Sequence, residues 1–419
     1  MAAALRLGVE VVVGSDHRST LEAIVPGATL ALPLDDPEAS AEAIAAFARD
    51  RPFDAIVAVD DGGTLAAARA SELLGLPYNP LTAVEATRDK SLLRERLEAG
   101  GLASPPWLVA SIDADPRELA GRVSLPCVVK PLSLAGSRGV IRADDREQFV
   151  AAFERVRALL TAPLVLEGCG ANADRVLIEG YIPGIEVSVE GLLTNGELQV
   201  LAIFDKPDPL EGPYFEETIY VTPSRLSAGQ QAEVLGVCAD AARALGLRDG
   251  PLHSELRLNE DGAWPIDVAA RSIGGLCSRT LELGAGVSLE ALLLSQAIGA
   301  PIETFERSAG AEQASGVMMI PIPAAGRLVA VDGVDEARAV PGIAGAEITM
   351  HRGQRVVPLP DGSEYLGFIF ARGDRPEHVE AALRTAHGAL RIQIAVDGEG
   401  EAGDASVPDA ERRTDVSLG

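Results

Sequence analysis

Cysteine is scarce and unpatterned in this chain. Cys127, Cys169, Cys238 and Cys277 show no CxxC spacing and have no histidine nearby. That argues against a zinc ribbon or a disulfide framework and predicts small thiols in a reducing cytoplasm. Histidine is equally thin. His17, His351, His378 and His387 are scattered and form no metal set, and neither a Ser–His–Asp nor a Cys–His arrangement can be assembled. Nothing approaches the ~18 consecutive apolar residues of a membrane span. The opening MAAALRLGVEVVVGSDHRS lacks a basic segment followed by a long apolar run, so no signal peptide and no membrane partner are expected. Positive charge is also short: 36 Lys and Arg against 62 Asp and Glu leave a net charge of −26, which disfavours nucleic acid as a partner. Aromatics make up 4%, so a core within the 47% hydrophobic fraction must be built from Ala, Leu, Val and Ile.

At 419 residues the chain exceeds one ordinary core and should hold two to four domains. GVEVVV (8–13) and FDAIVAVDD (53–61) read as strands, with a helix between them over 39–50 and another after them ending at Gly75. Alternating strands and helices predict a parallel sheet. The usual first strand of such a unit and its glycine turn are not found in this reading and are expected either upstream of Met1 or not at all. EATRDKSLLRERLEAG (85–100) reads as one helix, and 124–145 as strand, glycine-rich turn, strand. Helices follow over 147–160, 227–248, 287–299 and 376–390. Strands fill 176–207, with a hairpin turn at Asn195–Gly196. From about residue 310 strands with Gly and Pro turns dominate, and 391–396 closes the fold. Residues 397–419 carry seven acids against two arginines without periodicity, which predicts a disordered tail.

Three stretches carry chemistry. Lys130 ends the apolar strand PCVVK and precedes the turn SLAGSRG (133–139). Flexible backbone N–H groups beside an ammonium suit phosphate oxygens, although the pattern is neither a P-loop nor GxGxxG, and a plain hairpin remains open. Glu179 and Glu186 flank GYIPGI, which fits a hinge meeting a flat base edge, with Glu186 accepting from a ribose diol; a solvated hairpin edge is the alternative. In HSELRLNEDGAWPIDVAARSIGG (253–275), strand parity puts His253, Glu255 and Arg257 on one face of a first strand. It puts Asp267, Ala269 and Arg271 on one face of a second. If the strands pair, Glu255 and Asp267 can share a cation, and oxygen-only ligands suit Mg²⁺. Arg271 can then face a transferring phosphoryl group. A structural salt bridge of Arg271 with one acid is the alternative reading, and His253 is either packed or substrate-facing.

The order Arg88-Asp89-Lys90, VVKP, SLAGSRG, IEGYIPGIEVSVE and HSEL…PIDVAARSIGG resembles the ATP-grasp superfamily over roughly residues 50–395, and within it the carboxylate–amine ligases close to the L-amino-acid ligases. The resemblance implies an α/β and α+β multidomain architecture. A Rossmann-like pre-ATP-grasp domain would take 1–85, a two-lobed ATP-grasp domain 86–308 with its lid at about 124–182, and a small α+β C-terminal domain 309–396. It implies Lys90 and Lys130 as ATP lysines, with Ser137 and Gly139 in the lid turn closing over the phosphates. Glu179 with the Tyr181 and Ile182 backbone would form the adenine clamp, and Glu186 the ribose contact. Glu255 and Asp267 would hold Mg²⁺, or Mn²⁺ in its place, with Asp267 one methylene shorter than the usual glutamate. Arg271 would stabilise an acyl-phosphate. His253, Arg279 and Tyr214, the last on a loop over the site at 205–225, are candidate substrate contacts. The implied reaction joins a small carboxylate such as an amino acid to an amine with release of ADP and phosphate. A homodimer in the cytoplasm is compatible with this. Two alternatives stay open: biotin-carboxylase-like or purine-pathway-like chemistry through carboxyphosphate or formyl phosphate, and a non-catalytic ATP-binding regulator.

Overall fold

A computed structural model describes residues 2–16, 27–163, 165, 172–286, 288–300 and 313–396. The predicted tail over 397–419 lies outside the described residues, as do Cys169 and His17. Among the described residues, no helix is long and apolar enough to cross a membrane.

The N-terminal part departs most from its predicted pattern. A short helix, Ala2–Leu7, leads to β1 (Val13–Ser15), which pairs in parallel with β2 (Thr29–Ala31). The strand expected over 8–13 therefore begins only at Val13. Residues 53–61, expected as a strand, form no ladder among the described residues, and Asp61 already opens a helix; Phe53 and Ile56 pack by their side chains against Leu32, Ala41, Ile44 and Ala70. Alternating apolar residues specify which side is buried, but a strand also needs a neighbouring backbone at the right distance. The helices Pro37–Ala48 and Asp61–Leu74 do form as predicted. Asp60 caps the second by accepting from the Gly63 N–H at 2.9 Å, and Gly75 ends it in a left-handed conformation.

The helix expected over 85–100 is two helices, Leu81–Arg88 and Lys90–Ala99. Asp89 breaks it: its backbone is extended and its carboxylate caps Ser91 N at 2.8 Å. An aspartate that can satisfy the first N–H groups favours starting a new helix over continuing the old one. The break makes Lys90 the first residue of the second helix.

The lid is a four-stranded sheet in the order β3 (Trp107–Ser111), β6 (Arg175–Gly180), β4 (Cys127–Pro131), β5 (Ile141–Ala143), backed by the helix Arg146–Leu160. Phe149, Phe153, Val156 and Leu160 of that helix are buried against the sheet. An eight-stranded sheet forms the floor. Its strands are β7 (Ile185–Thr194), β8 (Glu197–Asp205), β9 (Ile219–Thr222), β10 (Gly250–Asn259), β11 (Gly262–Ala269), β12 (Ala314–Ile320), β14 (Ile343–Ile348) and β16 (Gly367–Gly373). They lie in the order β11-β10-β7-β8-β9-β12-β16-β14. β7 and β8 join through Asn195 and Gly196, both with positive φ, as a two-residue hairpin requires. The helix Ala228–Leu245 covers one face of this sheet, and the helices Arg279–Ala285 and Leu289–Ala297 cover the other. β13 (Gly326–Asp332), β15 (Arg355–Val356) and β17 (Arg391–Ala395) form a three-stranded sheet that shares a core with β12, β16 and the helix Pro376–Ala389. The chain passes from lid to floor through residues 181–184, between β6 and β7.

Candidate active site

The lid contributes a buried ion cluster. Lys130 and Glu179 lie on adjacent strands β4 and β6, and the Lys130 ammonium bonds the Glu179 carboxylate. Arg94 joins from the helix Lys90–Ala99: its Nε donates to Glu179 Oε2 at 2.9 Å, and its guanidinium also donates to the carbonyls of Pro265, at 2.8 Å, and Ile266, at 3.1 Å. Burial pushes the Glu179 pKa up, yet Arg94 and Lys130 outweigh it and hold the carboxyl at about 2. For Lys130 burial dominates, with Arg94 and Lys90 adding repulsion, and its pKa falls despite Glu179. Lys90 reaches the same region, donating from Nζ to the Leu134 carbonyl at 2.8 Å.

The turn 133–139 carries positive φ at Gly136, Ser137 and Gly139. A Cβ at Gly139 would meet Leu159 and Pro131 at 2.8 Å, so glycine is required there by space as well as by conformation. The Gly139 N–H donates to Pro360 O at 2.8 Å, and Arg138 Nε donates to Asp361 O at 2.8 Å. The turn thus rests on the loop at 360–363. Arg155 of the lid helix pairs with the Asp361 carboxylate at 2.8 Å and donates to the Tyr214 hydroxyl at 2.9 Å.

At the hinge, the Tyr181 N–H donates to Pro126 O at 3.0 Å, and the Ile182 carbonyl accepts from Arg257 Nη1 at 2.7 Å. Among the described residues the Tyr181 carbonyl and the Ile182 N–H make no hydrogen bond. They leave one acceptor and one donor on consecutive residues, the pattern a heterocyclic base edge can meet. The Tyr181 ring has the Arg142 guanidinium 3.9 Å from its centroid and that of Arg257 at 5.2 Å.

The floor is set by register. β7 opposes β10 with Glu186 beside Arg257, Ser188 beside Glu255, and Glu190 beside His253. Three acids and their cationic partners therefore share one face. Both Glu186 oxygens are engaged, Oε1 by Lys206 Nζ and Oε2 by Arg257 Nε, each at 2.8 Å. Lys206, at the end of β8, also bonds Glu217 and lies 3.6 Å from Glu255 Oε1. Burial disfavours its charge, but the three glutamates overcome that and hold its pKa well above the usual lysine range. Glu217 accepts from the Tyr220 hydroxyl at 2.6 Å. His253 bonds Glu190 through Nδ1 and Glu255 through Nε2, the latter at 3.3 Å; against burial, these acids raise its pKa to about 9.

Glu255 and Asp267 are direct partners across β10 and β11, where a bulge follows Glu255. Burial would raise the Glu255 pKa, but Lys206, His253 and Arg271 bring it well below the carboxylate range. Arg271 follows β11 and pairs with Asp61 at 2.9 Å, at the start of the helix Asp61–Leu74. Arg88 reaches the same carboxylate at 3.1 Å. Arg279 pairs with Glu347, its guanidinium 4.5 Å from the Phe370 ring centroid, and Tyr214 faces Arg155 of the lid. Neither touches another predicted site residue among the described ones.

The sequence matches the family model of the ATP-grasp domain over residues 123–280, of the ATP-grasp N-terminal domain over 1–78 and of the L-amino acid ligase C-terminal domain 2 over 318–395. The fold superposes on the crystal structure of L-amino acid ligase from Bacillus licheniformis with a TM-score of 0.79 at 30% identity, covering 94% of this chain and 95% of that one. The chain belongs to the ATP-grasp carboxylate–amine ligases. Alanine–anticapsin ligase from Bacillus subtilis is 30% identical over 243 residues, 54% of this chain and 50% of that protein. Carnosine synthase 1 from Gallus gallus is 30% identical over 278 residues, 64% of this chain and 30% of that protein. The chain thus spans half or less of these two curated relatives.

ATP-grasp enzymes use ATP with a divalent metal ion, and the donor set here can be tested against that need. Ligand oxygens of Glu186, Glu217 and Glu255 lie within 4.8 Å of one another. The Lys206 ammonium already sits among these carboxylates, so a metal held by all three would meet a buried cation. The pair Glu255 and Asp267 fits better, because Asp267 carries no ion pair among the described residues and oxygen donors of this kind suit Mg²⁺.

Several residues of this ATP-grasp site were missed by sequence reasoning: Arg94, Glu190, Lys206, Glu217 and Asp61. Two had a readable signal. Lys206 ends an apolar strand before a proline, as Lys130 does, and Glu190 has the same strand parity as Glu186. Arg94 and Asp61 sit on ordinary amphipathic helices and carry no local mark.

Proposed function

We propose that the protein is an ATP-dependent ligase that joins the carboxylate of a small substrate such as an amino acid to an amine. The observation that carries this reading is the register pairing of Glu255 with Asp267, with Arg271 beside them and a lysine-bearing lid joined through the hinge. MgATP, when bound, supplies the phosphoryl group that converts the carboxylate to an acyl-phosphate, from which the amine displaces phosphate. The chain supplies position and charge rather than a nucleophile. Lys90 and Lys130 bring positive charge to the lid side, and Glu255 with Asp267 are the oxygen donors for Mg²⁺, or Mn²⁺ in its place. Tyr181 O and Ile182 N–H take the adenine edge, with Glu179 fixing Lys130 behind them. The turn with Ser137 and Gly139 covers the phosphates, and its N–H groups become available when it leaves Pro360. For Glu186 to receive a ribose diol, one oxygen must exchange its Lys206 or Arg257 contact. Arg271 offers its guanidinium to charge on the transferring phosphoryl group. His253 orients Glu255, whereas Tyr214 and Arg279 act on substrate only through movement of the loops that hold them. The ATP-grasp portion then occupies 86–308, between the units 1–85 and 309–396.

ADP release should depend on an amino acid and an amine, and should not be supported by bicarbonate or formate. MgATP binding without turnover over pooled amino acids would overturn the reading. Arg271→Ala should lower product formation by about 100-fold or more, the scale of removing one group that stabilises a transition state. Its MgATP affinity should stay near wild type; an equal loss of affinity would remove Arg271 from this role.

A further inference from the structure

We propose that Asp61, in the N-terminal part, is the positioning residue for Arg271, holding its guanidinium with a free edge toward the Glu255–Asp267 pair. The inference deepens the ligase reading and rests on it. The two residues are 210 positions apart, yet Arg271 donates through Nε at 2.9 Å and also pairs through Nη2 at 2.9 Å, both to Asp61 Oδ2. The other carboxylate oxygen, Oδ1, is taken by Arg88 Nη1 at 3.1 Å. Asp61 is therefore clamped between two arginines and cannot rotate without losing one of them.

Its backbone is equally constrained. Asp61 is the first residue of a fourteen-residue helix, directly after the capping Asp60, where the helix N-terminus favours a carboxylate. The side chains of Asp61 and Arg271 are only 18% and 15% exposed, so solvent does little to screen the pair. Burial favours the neutral carboxyl, but Arg271, Arg88 and Lys90 together keep Asp61 ionised.

A guanidinium has five N–H donors in a fixed plane. Asp61 accepts from Nε, with Nη2 in an ion-pair contact at 2.9 Å to the same oxygen, and the Ser272 carbonyl accepts from Nη1 at 2.9 Å. Nη1 and Nη2 keep further N–H donors beyond these contacts, and the edge they form together matches two oxygens of a phosphoryl group. Glu190 and Asp267 act electrostatically on Arg271, and Arg271 acts on Glu255. The free edge thus belongs to the same acid cluster. Without Asp61 the arginine would turn toward the nearest of these acids, because a partly buried guanidinium does not stay unpaired.

Amino-acid-dependent ADP release and MgADP binding should be measured for wild type, Asp61→Asn, Asp61→Glu, Arg271→Ala and the Asp61→Asn/Arg271→Ala double variant. Asp61→Asn keeps the shape and removes the charge; kcat should fall about tenfold or more while MgADP affinity stays within about twofold, the pattern of a lost transition-state interaction. Asp61→Glu should recover part of kcat. In the Arg271→Ala background Asp61→Asn should cost nothing further, since a residue acting through another has no effect once that other is gone. The Arg271 Nε–H resonance of ¹⁵N-labelled protein gives a readout independent of turnover. It should be protected from exchange in wild type and lost in Asp61→Asn. Unchanged kcat, equal losses in both backgrounds, or an unaltered Nε–H signal would each overturn the proposal. Should wild type release no ADP with any amino acid, the ligase reading fails while the Nε–H signal still decides whether Asp61 orients Arg271.

Discussion

The floor and the lid latch are both built from ion pairs, but water reaches them differently. On the floor, Lys206 and Glu186 have side chains 3% and 8% exposed, whereas in the latch Arg155 and Asp361 are 43% and 47% exposed. A buried pair whose partner is removed leaves an uncompensated charge in a poor solvent for charge. An exposed pair that is broken returns both groups to water at little cost. Burial thus makes the floor a fixed template and leaves the latch easily opened. Such a division suits an enzyme that must hold its acids still while admitting a nucleotide beneath a lid.

Removing the floor's central cation should have the largest effect. Lys206→Met should destabilise the protein by about 3–5 kcal/mol, because Glu186 and Glu217 would then share a buried site with one fewer positive charge. Chemical denaturation measures this, and a loss below about 1 kcal/mol would show that water reaches the floor and erase its difference from the latch.

Glu255→Gln sharpens the division within the floor. Losing one charged oxygen donor should raise the Mg²⁺ needed for half-maximal ADP release by about tenfold, within the range seen when a metal site is weakened. Lys206 should hold Glu186 and Glu217 as before. An unchanged Mg²⁺ titration would move the metal away from Glu255.

The lid's own buried cluster responds to pH in a definable direction. Glu179 has a folded pKa near 2, below its ordinary value of 4.5, so its contribution is fully present above about pH 4.5. It is lost as the pH falls toward 2. The denaturation midpoint of wild type should therefore exceed that of Glu179→Gln at pH 6 and converge on it as the pH drops below 4. Parallel curves over that range would mean that Arg94 and Lys130 do not hold the carboxylate.

The smallest expected effect is in the latch. Arg155→Ala should change stability by no more than about 1 kcal/mol. It should raise the KM for ATP a few-fold, since the lid would close less often. A destabilisation as large as that of Lys206→Met would place the latch in the same class as the floor.

The helices at 61–74, 146–160 and 228–245, and the hairpin at Asn195–Gly196, were legible because caps, periodicity and turn glycines are local signals. The pairing of Glu255 with Asp267 was legible too, since a tight turn between two strands of known parity nearly sets the register. The strand expected at 53–61 finds no partner among the described residues for the opposite reason: a ladder needs a neighbour, and no periodicity announces one. The uninterrupted helix at 85–100 failed because Asp89 satisfies the N–H groups of a fresh helix, a cap that the apolar pattern alone conceals.

The sequence by itself determined which residues lie on one face of β10 and β11, and which turns demand glycine, because both follow from chain geometry over a few residues. The tertiary structure decided which charges those faces meet. β7 brings Glu186 and Glu190, β8 brings Lys206, the helix Lys90–Ala99 brings Arg94, and the helix Asp61–Leu74 brings Asp61. An ion pair across such distances depends on strand order and helix placement, which are set by burial of the whole apolar core. No local spacing encodes them.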